Sequence, residues 1–339
     1  MSAPADTPGR LPGEFDLIAR YFAPIAKSHP GALGLTDDAA FLDLPPGHQM
    51  VVTTDAMVAG VHFLADDPPD LIARKLLRVN VSDLAAKAAV PVGCLLALAL
   101  PRGTTAAWLE AFAQGLSADC AEFAIPLVGG DTTATDGPLT LALTALGSVE
   151  AGHAPLRSGA KPGDRVFVSG TIGDGALGLE VAKGGLGDLA APLREHLLGR
   201  YRLPEPKVAL RPVLRAFAHS AIDVSDGLLA DLGHICEASE LTATVQAAMV
   251  PMSDAVQIAV ARDPDLLSRV LSGGDDYEIV FTADPADSDR IMDASIKVGV
   301  PVTGIGFIGR KGEGAGPRVT VGDLAALNTV LRVTGYRHF

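Results

Sequence analysis

The sequence predicts an α/β chain built as two domains. Three observations carry that expectation. Short apolar runs that read as buried strands alternate with longer stretches of helical periodicity. The chain has 339 residues, enough for two cores. The pattern breaks at the polar, glycine-containing stretch 150–157. The expected boundaries are a loose arm over 1–13, an N-terminal domain over 14–152 and a C-terminal domain over 153–339.

Each element has its own signal. Phe15, Ile18, Ala19 and Phe22 stand at helical spacing within 14–26. Met50-Val51-Val52 reads as a buried strand that ends in Thr53-Thr54-Asp55. A long helix is expected over 67–91, started by Pro68-Pro69-Asp70 and stopped by Pro91. Asn80 and Asp83, three apart, share one of its faces. A strand over 93–101 precedes a helix over 104–123, with Thr104 or Thr105 as its N-cap. The strand 125–128 leads through Gly129-Gly130 to Asp131, and the alternation over 138–149 predicts another strand. In the second half, a turn at 161–164 precedes a strand over 165–169 and a glycine-rich turn into a helix. Helical pieces are expected within 184–206 and over 208–217. A short strand from Ser220 runs into Asp223, Ser225 and Asp226 and then a helix. Gly273-Gly274-Asp275-Asp276 precedes the strand 277–282, and 300–308 is a further strand.

Composition narrows the function. Hydrophobic residues make up 48% and charged residues 20%, a globular balance. A net charge of −13 argues against nucleic acid as a partner, because that binding needs a basic face. It also means that an anionic ligand needs intervening cations. The three cysteines, Cys94, Cys120 and Cys236, form no CxxC pair, which points to a reducing compartment and no structural zinc. No apolar run reaches the roughly 18 residues of a membrane span. The first residues lack a charged segment followed by an apolar core, so a cytoplasmic location is expected.

Oxygen-bearing side chains recur in clusters: Asp37-Asp38, Thr53-Thr54-Asp55, Asp83, Asp131-Thr132-Thr133, Asp223 with Ser225 and Asp226, and Asp275-Asp276. One such cluster is as well read as an Asx turn or a helix cap. Together they are an excess of hard oxygen donors over candidate bases, the donor type Mg²⁺ takes. The chain has no GxxxxGK[ST] loop, so a polyphosphate would be met by several metal ions rather than a P-loop lysine. GDGALG at 173–178 matches a dinucleotide fingerprint, but no second strand ends in an acid about 20 residues on. Phosphate contact or tight packing is the expected use of these glycines. His62 is a core imidazole or a contact to a phosphorylated substrate, and Arg157 a solvated arginine or a partner for a nucleotide phosphate. Tyr336 packs the C-terminus or stacks on a ring.

The ordered set TDDAA, TTDAMVAGVHF, NVSDLAA, LVGGDTT, RSGAKPGD, DVSDGLLADLGHI and GGDDYE resembles the thiamine-monophosphate kinases of the aminoimidazole ribonucleotide synthetase superfamily, over 14–339. The resemblance implies a two-domain fold of that type. Its N-terminal sheet domain would form a homodimer, and its C-terminal domain would be a mixed α/β unit. It implies ATP-dependent phosphorylation of thiamine monophosphate with several Mg²⁺ ions. It maps metal ligands onto Asp38, Thr53, Thr54, Asp55, Asp83, Asp131, Asp223 and Asp226. It maps nucleotide contacts onto Gly130, Asp131, Arg157 and Ser225, and substrate contacts onto His62, Asp275 and Tyr336. Three positions depart from the family pattern. Thr36 replaces a glycine, Asp275 replaces a glutamate, and Lys87-Ala88 replaces Met-Gly. The implied nucleophile is a phosphate oxygen, already anionic near neutral pH, so no general base is expected. A sister enzyme acting on another substrate and a non-catalytic nucleotide-binding scaffold are the alternatives. A selenide-using sister would carry a reactive cysteine near the N-terminus, and none precedes Cys94.

Overall fold

The computed structural model describes residues 13–311 and 318–322. The arm expected over 1–13 therefore falls almost wholly outside the described residues, as does Tyr336. The chain divides into two compact units. The first ends at Glu150 and leaves out Ala85–Ala89; the second takes Ala85–Ala89 and continues from Ala151.

The first unit begins with a helical segment, α1 (Glu14–Leu17), a π-helical turn over Ile18–Phe22, and α2 (Ala23–Ala26). Its sheet contains β1 (His48–Val58), β2 (Val90–Pro101), β3 (Leu127–Thr135) and β4 (Thr140–Glu150), in the order β1-β4-β2-β3. β4 runs antiparallel to both β1 and β2, and β2 and β3 are parallel. A parallel pair needs a crossover, and α4 (Ala106–Glu122) provides it. Thr105 is its N-cap, accepting a hydrogen bond from the Trp108 amide at 3.2 Å. α3 (Pro69–Ala86) ends earlier than the sequence suggests. Ala88 turns into the left-handed region at φ 53°, and the chain is already extended in β2 when it reaches Pro91. α3 and α4 are clamped by a buried carboxylate. Asp119 accepts from Arg78 Nε at 2.6 Å and from Arg74 Nε at 2.8 Å.

The strands expected to stop before their acidic residues do not stop there. β1 continues through Thr53-Thr54-Asp55 to Val58, and β3 continues through Gly129-Gly130-Asp131 to Thr135. Both persist because β4 and β2 supply ladder partners along their whole length.

In the second unit, β5 (Arg165–Ser169) is followed by α5 (Asp174–Ala182), α6 (Ala191–Arg202) and α7 (Arg211–Phe217). Next come β6 (Ser220–Asp223), α8 (Leu228–Ala238), β7 (Leu241–Gln246), α9 (Asp254–Arg262) and α10 (Leu266–Ser272). β8 (Ile279–Ala283), α11 (Ser288–Lys297), β9 (Val302–Arg310) and β10 (Val319–Gly322) complete it. The sheet order is β10-β7-β9-β5-β8-β6, which leaves β6 at an edge. Both faces are covered. Val166, Val168, Ile222 and Val280 enter one core, while Phe167, Ala221 and Phe281 enter the other. Cover on both sides explains why these strands read as unbroken apolar runs. The sequence reading missed β7, β10 and α9 to α11.

Asp119→Ala removes the buried carboxylate from Arg78 and leaves it the half-exposed Glu122, at 2.9 Å. We expect a loss of about 3–5 kcal/mol of unfolding free energy, measured by urea denaturation; a change below about 1 kcal/mol would remove the clamp from this account.

Candidate functional site

In the first unit, strand alternation sorts the predicted residues onto two faces. Thr53 and Asp55 share one side of β1, and Thr54 takes the other. On the first side, Thr53 Oγ1 donates to Asp83 Oδ2 of α3 at 2.5 Å. Asp83, one turn beyond Asn80, thus meets the strand that carries Asp55. On the opposite side, Thr54 pairs with Thr144, whose hydroxyl donates to Thr54 Oγ1 at 3.1 Å. The register places Asp131 in one row with Ala97, Ala142 and Ala56, so it shares the face of Thr54. The expected placement of Thr53, Thr54 and Asp55 at a strand end is therefore corrected. They lie inside a strand, and its two-residue period separates Thr54 from its neighbours.

A cavity of about 490 Å³ opens on the Thr54 face, lined by Asp37, Asp38, Gly130, Asp131 and Thr144. Three predicted residues thus meet at one concavity. Gly130 is required there, because a side chain would overlap the Leu96 carbonyl of the adjacent strand. Asp38 follows a turn in which Leu33, Gly34 and Leu35 carry the positive φ angles, 51°, 67° and 58°. Thr36, where the family pattern has glycine, keeps φ −114° and donates its hydroxyl to the Leu33 carbonyl at 2.8 Å. That departure therefore needs no strained backbone.

His62 is oriented by its own turn. The Val58 amide donates to His62 Nδ1 at 3.0 Å, so the neutral ring carries its proton on Nε2.

In the second unit, β6 ends at Asp223, which is buried. Ser225 and Asp226 follow in the turn to α8, and Asp226, Asp231 and His234 bring ligand atoms within 4.8 Å of one another. Asp231 accepts from the Asp226 and Gly227 amides at 3.0 and 3.1 Å. Burial, and then the charge of Asp226, push its carboxyl up to about 7. The sequence reading passed over Asp231 and His234, although their spacing of three on α8 was available.

The loop 273–278 folds back on the same turn. Asp275 and Tyr277 donate their amides to the Ser225 and Val224 carbonyls at 2.9 and 2.8 Å, and both residues are left-handed, at φ 69° and 52°. Between them, Asp276 points inward and accepts from the Gly173 and Gly175 amides at 2.8 and 2.9 Å. Burial pushes its carboxyl well above the usual range, and those two amides oppose the shift. Asp276 thus serves the fold rather than a ligand cluster. Of the two uses expected for the GDGALG glycines, phosphate contact or tight packing, the start of α5 shows the second: its amides bind a protein carboxylate, and side chains at Gly175 and Gly178 would overlap the Asp275 and Leu197 carbonyls. Glu278 is likewise internal, accepting from Ser169 Oγ at 2.6 Å and Arg200 at 3.0 Å.

Arg157 is exposed at the start of a 3₁₀ turn, Arg157–Gly159, and its carbonyl accepts from Ser239 Oγ at 3.0 Å. Tyr336 lies outside the described residues. The assembled donors are carboxylate and hydroxyl oxygens in both units, the set a hard cation takes.

Comparison with known proteins extends this picture. The family model for the AIR synthase related protein, N-terminal domain, matches residues 36–149, and that for the C-terminal domain matches 161–321. A thiamine-monophosphate kinase of Caulobacter vibrioides is 49% identical over 92% of this chain and 88% of its own. The crystal structure of thiamine-monophosphate kinase from Stenotrophomonas maltophilia K279a superposes with TM-score 0.81 at 42% identity, covering 91% of this chain and 96% of that one. The structure of AaThiL complexed with AMPPCP and TMP gives TM-score 0.75 at 27% identity, over 96% and 97% of the two chains.

Asp276→Ala leaves two buried amides without an acceptor. We expect a loss of about 2–4 kcal/mol and faster hydrogen exchange at Gly173 and Gly175. Unchanged exchange at both amides would show that the carboxylate does not hold them.

Proposed function

This chain belongs to the thiamine-monophosphate kinase family, on a pair of AIR synthase related domains, and we propose that it transfers the terminal phosphoryl group of ATP to thiamine monophosphate, giving thiamine diphosphate. The observation that carries this reading is 49% identity to a thiamine-monophosphate kinase, sustained over 92% of the chain. The AaThiL complex, which holds an ATP analogue and TMP on the same fold, supports the choice of both substrates.

The chemistry asks for alignment and charge neutralisation rather than proton abstraction. A phosphate monoester oxygen is already anionic near neutral pH and attacks the terminal phosphorus of ATP directly, as the bond from that phosphorus to the bridging oxygen breaks and ADP leaves. We assign Mg²⁺ to Asp38, Thr53, Thr54, Asp55, Asp83 and Asp131 of the first unit and to Asp223 and Asp226 of the second. The oxygen-only chemistry of these donors supports that choice of metal. Held there, Mg²⁺ would supply the positive charge that the phosphate groups need beside an acidic protein. Asp131 with Gly130 in the first unit, and Arg157 with Ser225 in the second, are the nucleotide contacts in this reading. Arg157 offers a forked donor to a phosphate. His62 presents its Nε2 proton to the substrate phosphate. Asp275, one methylene shorter than glutamate, is held at its place by the strained loop, and Tyr336 completes the substrate set.

We also infer a homodimer through the open face of the first unit's sheet. Met50, Val52, Val90 and Leu95 are exposed large apolar residues. The register puts all four on the face of Thr54. Exposed apolar surface of this kind supports a buried contact with a second copy. No helix of the described residues is long and apolar enough to cross a membrane. Three free buried thiols and the use of ATP support a cytoplasmic location.

Purified chain should release ADP from ATP with thiamine monophosphate far faster than with thiamine or other phosphate monoesters. Asp55→Ala and Asp131→Ala should each abolish that release while circular dichroism stays unchanged; near wild-type turnover at saturating Mg²⁺ in either variant would refute the metal assignment. Val52→Glu should shift sedimentation from dimer to monomer, and a persistent dimer would exclude this face as the contact.

A further inference from the structure

Lys87, in the second unit, makes two polar contacts that packing alone does not require. It stands where the family pattern has methionine, in the segment Ala85–Ala89 that belongs with the second unit. Its neighbours Ala85 and Ala88 are buried in one of that unit's cores, which fixes the backbone from which the side chain departs. The ammonium then donates twice, to the Pro155 carbonyl at 3.1 Å and to the Ala221 carbonyl at 2.9 Å.

These two acceptors lie on separate segments. Pro155 precedes Arg157 by two residues, and Ala221 precedes Asp223 by two residues. In extended chain, two residues span at most about 7 Å, so each tie sits close to a residue of the proposed site. Both segments need fixing. β6 is the edge strand of the described sheet, with a neighbour on one side only. Arg157 is exposed, so packing does not hold its side chain. The two segments also meet directly, because a side chain at Gly159 would overlap the His219 carbonyl at the start of β6. An ammonium bonded to a carbonyl of each locks that contact in one register.

We propose that Lys87 is a positioning residue for phosphoryl transfer. In this role its ammonium joins the Arg157 turn to β6, and so sets the nucleotide-contacting arginine relative to the metal-binding Asp223. The proposal rests on the reading of Arg157 and Asp223 given above. A methionine of similar length would fill the same space but donate nothing, and an arginine would retain the donors. The nucleotide rather than the thiamine substrate should register the difference.

The test uses the full chain with steady-state kinetics and thermal unfolding on Lys87→Met, Lys87→Arg and Arg157→Ala. Lys87→Met should raise the KM for ATP about tenfold, the change expected from losing two charge-assisted hydrogen bonds that act indirectly. It should leave the KM for thiamine monophosphate and kcat within about twofold of wild type, and Lys87→Arg should restore the KM for ATP. Should Lys87→Met fail to fold, Lys87→Gln, which keeps one donor group, is measured in its place against the same expectations. A KM for ATP unchanged in Lys87→Met while Arg157→Ala raises it overturns the role of Lys87 and leaves the nucleotide reading intact. Equal increases in both KM values, tracking a lower Tm and not rescued by arginine, reduce Lys87 to a structural residue and also overturn the proposal. If Arg157→Ala itself leaves the KM for ATP unchanged, the nucleotide reading of Arg157 is wrong, and the positioning role falls with it.

Discussion

A carboxylate removed from water needs donors, and this requirement divides the acidic residues of the chain into two populations. Asp119 has two arginines, and Asp174 has the hydroxyls of Thr171 and Ser253. Asp276 has two backbone amides, and Glu278 a serine with cationic neighbours. All four are buried, and all four join elements that are distant in sequence. Asp37, Asp38 and Asp131 are exposed around one cavity instead. Part of the chain's acidic complement is thus satisfied internally, and part stands exposed around a cavity.

Strand geometry imposes the second division. β1 carries three consecutive oxygen side chains, yet its pleat sends Thr53 and Asp55 one way and Thr54 the other. The first pair meets α3 through Asp83; the other meets Thr144 on a face that also bears Asp131 and the exposed apolar residues Val52 and Leu95. One strand therefore serves two purposes without an insertion or a bulge. Oxygen donors and exposed apolar residues share a single β-element, so a change at one position of β1 alters the face its parity assigns.

The second unit places its polar residues on turns rather than within strands. The loop carrying Asp275 holds two non-glycine residues at positive φ, a conformation that persists only when the surroundings over-determine it. Those surroundings are the Ser225 and Val224 carbonyls on one side and the α5 amides on the other. The turn after β6 and the loop before β8 consequently form one hydrogen-bonded body. Residues 225, 226 and 275 are positioned by a backbone network that no single one of them could provide.

Much of this protein was legible from its residues. The α/β class, the break near residue 150, a helix cap at Thr104 or Thr105 and most strands followed from periodicity and turn chemistry, because those signals are local. The same holds for the oxygen clusters, the missing P-loop and the ordered motifs that resemble the thiamine-monophosphate kinases. Tertiary structure alone decided which aspartate does what. Asp275 and Asp276 are adjacent and chemically identical in sequence, yet one faces the loop's surroundings and the other closes onto α5, more than 100 residues away. Likewise, where β1 and β3 end depended on the ladder partners that β4 and β2 bring. Side-chain type is written in the chain, but the donors that will meet it arrive from segments remote in sequence, and only folding brings them within hydrogen-bonding distance.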